Sequence, residues 1–159
     1  MDLDPDIYRT LRRKAMDLLA RREHSAQELR DKLARGGADL AVIEAVVCAL
    51  VDEGLQSDVR FTEAFVHHRR GRGFGPRHVR ADLARRGVGA AELDALVDPR
   101  SPEWDAALGK LVRSRYRGEP ASDLPERARR CRFLQSRGFT PSQIERALRE
   151  QSESSGDAV

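Results

Sequence analysis

The chain has 159 residues, of which 40% are hydrophobic, 35% are charged and only 5% are aromatic. This composition favours a soluble α-helical protein with an extensive solvated surface over a protein with one large apolar core. No apolar run approaches the roughly 18 residues that a membrane-spanning helix needs, and the N-terminal MDLDPDIYRT lacks the apolar stretch of a signal peptide. We therefore expect a cytoplasmic protein that does not enter a membrane.

The net charge of +3 is distributed unevenly along the chain. A first basic segment, Arg60–Arg86, contains eight arginines against two acidic residues, and a second, Arg113–Arg137, contains eight arginines against three. The remainder of the chain is therefore acidic. Arginine outnumbers lysine by 26 to 3, and its planar guanidinium group suits forked contacts with carboxylates and phosphates. Two basic segments in an acidic background indicate a surface that binds an acidic protein or a nucleic acid.

Helices are the predicted elements along the whole chain, because no window alternates for long enough to indicate a strand. Apolar periodicity predicts three long helices, over residues 7–22, 57–70 and 102–117. Two further helix starts are marked by the capping-box sequences SAQE at residues 25–28 and TPSQ at residues 140–143.

The same short pattern follows each of the three long helices. A leucine lies four positions before a glycine, and apolar residues follow that glycine by six and by ten positions. Successive glycines are 50 and 51 residues apart. Each copy predicts a helix that ends at glycine, a tight turn and a second helix with one apolar face. The copies are Leu33, Gly37, Ile43 and Val47; Leu83, Gly87, Leu93 and Val97; and Leu134, Gly138, Ile144 and Leu148.

This recurrence predicts an all-α fold of about nine helices in three tandem three-helix repeats. The repeats are expected at residues 7–55, 57–98 and 101–150, and a polar, disordered tail is expected at residues 151–159. A three-helix unit of this size buries little surface by itself. We therefore expect the repeats to stack into an elongated array, straight or curved, with long faces and no deep pocket.

The cysteines and histidines do not indicate a metal or a catalytic site. Cys48 and Cys131 each fall where a helix can bury them, so we expect reduced structural thiols. His67 and His68 are adjacent, so a helix directs them apart, and His68 follows the apolar stripe of its helix and is expected to be packed. No spacing of Ser, His, Asp or Cys suggests nucleophilic catalysis. We therefore expect a protein that is not an enzyme and holds no cofactor and no metal.

The glycine-rich sequence GRGFG at residues 71–75 lies between the two helices of the first basic segment. A phosphate-binding glycine loop follows a strand and carries a lysine or the GxGxxG pattern. This one follows a predicted helix and has no lysine, so we interpret it as a helix end and a turn. Anion binding by the N–H groups at the start of the next helix, from Pro76, is the alternative.

Arginines of the two basic segments are the candidate contact residues. A solvated surface with no partner is the alternative, but the clustering of arginines around one turn and in a second segment favours a binding surface. Few aromatic residues accompany them, which favours contact with phosphate or acidic protein over stacking on bases. The candidates are Arg60, Arg69, Arg70, Arg72, Arg77, Arg80, Arg85, Arg86, Arg129, Arg130, Arg132 and Arg137.

Four strings carry a resemblance to a known family. They are REHSAQELRDKL at residues 22–33, VDEGLQSDVRFTEAFVHHR at residues 51–69, GFGPRHVRADLARRGV at residues 73–88 and RARRCRFLQSRGFTPSQIERAL at residues 127–148. Through them the chain resembles the RecX family of bacterial recombination regulators over residues 10–150. One departure is Arg130, which falls where the first two repeats have Leu29 and Val79. That helix is therefore expected to pack through its neighbours Ala128, Cys131 and Leu134.

The resemblance implies a negative regulator of the RecA recombinase. Members of the family bind in the groove of the RecA–single-stranded DNA filament and inhibit ATP hydrolysis, strand exchange and coprotease activity, in DNA repair and the SOS response. The implied partners are the RecA filament and, for some members, single- or double-stranded DNA. The resemblance brings no catalytic residue and no cofactor, and a monomer is expected. Two alternatives stay open: a stand-alone helical protein that binds DNA backbone through its arginines, and a helical adaptor for an unrelated partner.

Overall fold

The computed structural model of the chain describes residues 3–157. Within that range the chain forms nine α-helices and no strand, which confirms the all-α prediction. None of these helices is long and apolar enough to cross a membrane. The helices are α1 (Pro5–Arg21), α2 (Ala26–Ala34), α3 (Leu40–Asp52), α4 (Asp58–Gly71), α5 (Pro76–Arg85), α6 (Ala90–Leu96), α7 (Pro102–Tyr116), α8 (Leu124–Ser136) and α9 (Pro141–Gly156).

The two predicted capping boxes differ in how their side chains are used. At the start of α9, Thr140 accepts a hydrogen bond from the backbone N–H of Gln143, and the Gln143 side chain accepts one from the backbone N–H of Thr140. At the start of α2, Ser25 accepts from the backbone N–H of Glu28 at 3.0 Å. The Glu28 carboxylate accepts hydrogen bonds from two arginines. Each cap supplies an acceptor to backbone N–H groups that the first helical turn leaves without a partner.

The fold divides into two compact units. Unit 1 comprises the chain up to Phe65 together with Leu83–Leu96, and unit 2 comprises Val66–Asp82 together with the chain from Val97. Helices α4 and α5 therefore contribute residues to both units. In unit 1, helices α1, α2 and α3 share one apolar core. Its buried members are Leu11, Ala15, Leu29, Leu33, Val42, Ile43, Val46, Val47 and Leu50.

The core of unit 2 joins helices α7, α8 and α9. Its buried members include the leucine and the two later apolar residues of the third copy of the glycine pattern. The full set is Leu108, Val112, Leu134, Phe139, Ile144 and Leu148, with Cys131 half-buried at its edge. The pattern identified in the sequence therefore marks true core positions in this unit.

The pattern glycines occupy the left-handed region of backbone conformation, where a Cβ atom is unfavourable. The φ angles are 75° at Gly37, 88° at Gly87 and 97° at Gly138. The last two also lie against another helix start within their own unit. A Cβ atom on Gly87 would overlap the side chain of Gln27 in α2, and one on Gly138 would overlap the backbone of His78 in α5.

Hydrogen bonds fix both of these docked turns. In unit 1 the Ser25 hydroxyl donates to the carbonyl oxygen of Arg86 at 2.7 Å. In unit 2 the N–H of Gly75 donates to the carbonyl oxygen of Arg137 at 2.7 Å, and the N–H of Arg77 donates to that of Gly138 at 3.0 Å. The turn before α6 thus docks on the start of α2, and the turn before α9 docks on the start of α5.

Two sequence expectations about side-chain burial are wrong. Cys48 is exposed, because the buried face of α3 runs through Val46, Val47 and Leu50, and its thiol donates to the Glu44 carboxylate at 3.3 Å. That hydrogen bond raises the pKa of Cys48. His68 is also exposed, because the buried face of α4 includes Thr62 and Val66 and so is turned away from it.

The C-terminal helix extends beyond the point where the sequence predicted a disordered tail. Helix α9 continues to Gly156, so residues 151–156 are helical, while residues 158 and 159 lie outside the described range. Two contacts account for the extension. Gln151 is 8% exposed and accepts a hydrogen bond from Arg130 at 3.2 Å, and the Ser155 hydroxyl donates to the Gly118 carbonyl oxygen at 3.2 Å.

Candidate functional site

The candidate arginines fall mainly in unit 2. Three of them, Arg60, Arg85 and Arg86, belong to unit 1. The other nine belong to unit 2, on α4, α5 and α8 and in the turns that follow α4 and α8. Because the side chains have different surroundings, the structure separates those that support the fold from those that are available to a partner.

In unit 1, Arg60 and Arg86 take part in intramolecular ion pairs. Arg60 contacts Glu23 at 3.0 Å, and Arg86 contacts Glu28 at 2.5 Å and lies over the ring of Phe65. Burial disfavours ionisation of Glu28, but hydrogen bonds from Arg86 and a second arginine outweigh it and hold the pKa of Glu28 below its usual value. Both arginines therefore hold parts of unit 1 together.

Arg130 is buried, so the prediction that it belongs to the candidate contact surface is wrong. It is 5% exposed and lies 4.0 Å from the ring centroid of Tyr116. Its guanidinium donates to the Glu126 carboxylate and to the Glu119 carbonyl oxygen, each at 2.8 Å. Arg130 itself therefore packs this helix, because ion pairing and hydrogen bonds compensate its burial at a position where the other repeats have an aliphatic residue.

Glu126 completes this cluster. Hydrogen bonds from the Ser122 hydroxyl and backbone N–H, followed by the one from Arg130, lower the pKa of Glu126 to about 2. The carboxylate is therefore ionised at neutral pH and accepts from both sides. It ties the loop before α8 to the first turns of that helix.

Arginines and phenylalanines alternate in a stack within unit 2. Arg69 lies 5.4 Å and Arg137 lies 4.5 Å from the ring centroid of Phe74. Arg137 also lies 5.3 Å from the centroid of Phe133, and Arg115 lies 3.8 Å from it. A guanidinium held over a ring face is attracted by the ring quadrupole and loses side-chain freedom in advance of binding. We call these five residues the Arg–Phe stack.

Four candidates in unit 2 remain exposed. Arg72 and Arg77 stand on either side of the turn between α4 and α5, and Arg129 and Arg132 lie three positions apart on α8. We call these four residues the exposed arginine set. Residues three apart lie on the same side of a helix, so the α8 pair faces one direction.

The other unit 2 candidates are engaged within the unit. Arg69 pairs with Asp82 at 3.3 Å, and Arg70 pairs with Glu103 at 2.7 Å. Arg80 donates to the carbonyl oxygen of a residue before α7 at 2.9 Å. These side chains contribute positive charge to the surroundings of the exposed set, but their first role is to hold helices together.

Sequence reasoning did not single out Arg115, although it lies in the second basic segment. Its distance from Phe133 along the sequence does not predict their contact, because that contact depends on how α7 packs on α8.

The side-chain geometry gives no support for metal binding. Within residues 3–157, no group of three or more His, Cys, Asp or Glu side chains is arranged to hold a metal ion.

Three family models match the chain in succession. The model of the first three-helix domain of RecX matches residues 12–50, that of the second matches residues 57–96, and that of the third matches residues 103–148. The prediction of three tandem three-helix repeats is therefore confirmed.

Curated relatives agree with these matches. The chain is 41% identical over 143 residues to the regulatory protein RecX of Pseudomonas fluorescens strain SBW25, over 90% of this chain and 92% of the relative. It is also 41% identical over 138 residues to the regulatory protein RecX of Pseudomonas syringae pv. tomato, over 87% of this chain and 89% of the relative.

Solved structures share the fold. The crystal structure of RecX from Lactobacillus salivarius matches with a TM-score of 0.75 at 18% identity, over 92% of this chain and 97% of that chain. A second crystal structure of a regulatory protein RecX matches with a TM-score of 0.75 at 20% identity, over 94% of this chain and 79% of that chain. On the three domain matches and the identity to curated relatives, the chain belongs to the RecX family of regulatory proteins.

Proposed function

We propose that this protein is a negative regulator of the RecA recombinase. It binds in the groove of the RecA–single-stranded DNA filament and inhibits ATP hydrolysis, strand exchange and coprotease activity, and thereby acts in DNA repair and the SOS response. In the same proposal it works as a cytoplasmic monomer. Membership of the RecX family supports the choice of partner, and the exposed arginine set supports the choice of surface.

The observation that carries the proposal is the charge difference between the two units. The residues of unit 2 include 17 Arg and Lys against 11 Asp and Glu, whereas those of unit 1 include 12 against 15. Unit 2 is therefore attracted to an acidic surface, over a distance of about 8 Å at physiological ionic strength. An acidic recombinase surface and the phosphates of filament DNA both meet this requirement.

Inhibition follows from binding more than one recombinase protomer at a time. Tandem repeats provide several contact surfaces on one chain, and a chain fixed to neighbouring protomers restricts the movements that accompany ATP turnover. Binding alone then reduces the conformational freedom of the filament, and the inhibitor does not need to catalyse a reaction. This mechanism agrees with a family whose members are named regulatory proteins.

A charge-reversal variant tests the surface. In Arg72→Glu/Arg77→Glu both positions are exposed, so helicity is expected to stay intact while inhibition of RecA ATP hydrolysis is lost. Arg69 and Arg70 are left unchanged, because their ion pairs stabilise the fold. A folded variant that inhibits as well as the natural protein would overturn this part of the proposal.

The matched control reverses two exposed arginines of unit 1, in Arg13→Glu/Arg35→Glu. It changes the net charge by the same amount as the test variant. Inhibition by this control is expected to stay close to that of the natural protein. Equal loss in both variants would indicate a nonspecific effect of net charge.

Stand-alone DNA binding is the second candidate function, and the Arg–Phe stack favours it. The guanidinium groups of Arg115 and Arg137 are held in place over rings, so they are ready to contact phosphates. Electrophoretic mobility shift with bare single-stranded DNA at rising salt tests it. Binding below micromolar concentration that weakens steeply with salt, in the absence of recombinase, would favour this candidate.

A further inference from the structure

A groove in unit 2 runs between the end of α4 and the middle of α7. Residues 67–73 form one wall, and residues 103–114 form the other. Its volume is about 610 Å³, within the range of about 300–1,000 Å³ that is usual for ligand sites. Two sequence candidates, Arg70 and Arg72, line this groove, but no residue of the Arg–Phe stack does.

The side of the groove formed by α7 has an apolar strip beside polar residues. Ala106 and Ala107 form the strip on one turn of the helix, and Leu111 continues it on the next turn. Gly73 has a φ angle of 84°, and a Cβ atom there would lie 3.1 Å from the Leu111 side chain. The glycine thus lets the chain turn at the end of α4 and keeps the wall open. A medium-sized apolar side chain from a partner fits this surface.

The rim of the groove is positively charged. Arg72 and Lys110 are exposed on opposite walls. Among the described residues neither of them forms an ion pair. The one acidic residue in the lining, Glu103, is already paired with Arg70 at 2.7 Å. The positive charges of Arg72 and Lys110 are therefore available to the carboxylates of a partner.

The groove is suited to a peptide more than to a nucleotide. Phe, Tyr and Trp rings are the usual platforms for stacking a nucleobase, and none of them is among the described residues that line the groove. Trp104, next to the lining residue Glu103, is 2% exposed and is covered by Arg70, 5.5 Å from its ring centroid. The one ring in the lining is the small, exposed imidazole of His67. The carbonyl oxygens of Arg69 and Arg70 accept hydrogen bonds from the backbone N–H groups of the following turn, which reduces their repulsion of an approaching acid.

We propose that this groove binds an acidic peptide segment with one apolar side chain set between its carboxylates. The proposal rests on the proposed function and assigns the segment to the recombinase. The apolar side chain lies on Ala106 and Ala107, and the carboxylates meet Arg72 and Lys110. Binding of this acidic segment gives the regulator a contact with the recombinase that does not depend on DNA.

Two variants of the full-length protein test the groove by different means. Ala106→Trp places a bulky ring on the apolar strip without changing charge, and Lys110→Glu reverses one rim charge. Each is expected to raise the protein concentration needed for half-inhibition of RecA ATP hydrolysis about tenfold, the effect of losing one good contact. Circular dichroism checks that each variant keeps its helicity.

The controls are Ala81→Trp on α5 and Arg149→Glu on α9, which make the same change in side-chain size and the same change in charge at exposed positions of unit 2 outside the groove. Half-inhibition by the controls is expected within about twofold of that by the natural protein. If the natural protein inhibits and the groove variants match it, the groove assignment is wrong and the proposed function stands. If the natural protein does not inhibit, the groove assignment and the proposed function are both wrong.

A photo-reactive p-benzoyl-phenylalanine at position 106 identifies the occupant. In filaments assembled on single-stranded DNA, the expected crosslink joins this residue to an acidic segment of the recombinase, located by mass spectrometry. A crosslink to DNA, or to a recombinase segment without acidic residues, would overturn the proposal even if inhibition is normal.

Discussion

Gly138 lies so close to His78 that a Cβ atom on the glycine would overlap the backbone of the histidine. Within unit 1, a Cβ atom on Gly87 would overlap the side chain of Gln27. Gly37, the first glycine of the pattern, has open space around it. All three glycines allow the left-handed turn, but only the second and third also allow a turn to dock on the start of an earlier helix. The recurring glycine therefore links neighbouring repeats as well as ending helices.

The first prediction concerns these glycines. Gly37→Ala is expected to lower the free energy of unfolding by about 1–2 kcal/mol, the cost of a left-handed backbone for alanine. Gly138→Ala adds a steric overlap in a packed turn, so its loss is expected to be about 3 kcal/mol or more. Urea denaturation followed by circular dichroism measures both. Equal losses for the two variants would show that docking of the Gly138 turn does not matter for stability.

The second prediction concerns Arg130. Arg130→Ala removes a buried side chain with its ion pair and hydrogen bonds, and is expected to lower the free energy of unfolding by about 3 kcal/mol. Arg130→Met keeps most of the packing and is expected to lower it by less. Inhibition of RecA by folded Arg130→Met is expected to be unchanged. Loss of inhibition without loss of stability would make Arg130 a contact residue after all.

The third prediction concerns His24 and acid pH. His24 is 2% exposed, its Nε2 lies 2.9 Å from the Lys32 ammonium, and its Nδ1 lies 3.1 Å from the Arg22 carbonyl oxygen. Burial is the main cause that lowers the pKa of His24 below its usual 6.5, and the positive charges of Arg22 and Lys32 add to it, whereas the Arg22 carbonyl and Glu28 oppose it. The unfolded chain therefore binds a proton at a higher pH than the folded one.

It follows that the free energy of unfolding falls as pH decreases below about 6.5, because protons then favour the unfolded chain. His24→Gln is expected to reduce this pH dependence, whatever its effect at pH 7.5. The pKa of nearby Glu28 is lowered below 4.5, so its contribution is lost only at more acid pH. Urea denaturation at pH 7.5 and 5.5 checks the difference, and identical pH dependence in both proteins would contradict it.

The fourth prediction concerns the Arg–Phe stack. Phe133→Leu keeps an apolar side chain on α8 but removes the ring that holds Arg115 and Arg137. The stability loss is expected to be about 1 kcal/mol. Binding to bare single-stranded DNA, measured by mobility shift, is expected to weaken about threefold, because the guanidinium groups regain freedom that binding must remove. Unchanged DNA binding would show that the stack serves the fold alone.

The helices and the repeat are predictable from the sequence, because both depend on local signals. Apolar spacing, capping residues and the recurring glycine together indicate nine helices and three repeats. The docking of the Gly87 and Gly138 turns on earlier helices is not predictable in this way, because it is a contact between segments about 60 residues apart. Local pattern specifies the turn, and only the fold specifies what the turn touches.

The arginines show more clearly how far the sequence alone can predict the candidate site. Charge counting places Arg130 and Arg72 in one candidate set, yet one is buried and the other is exposed. A buried arginine is stable when carboxylates and carbonyl groups meet it, and those partners come from residues 119, 126 and 151. The extension of α9 has the same origin, because Gln151 is one of those partners.

ATP hydrolysis by RecA on single-stranded DNA, with this protein titrated in below one molecule per recombinase protomer, tests the central claim most directly. We expect inhibition by the natural protein at that ratio, loss of inhibition in Arg72→Glu/Arg77→Glu, and normal inhibition in Arg13→Glu/Arg35→Glu. ATP hydrolysis that stays unchanged even at one or more molecules of the folded natural protein per protomer would contradict it.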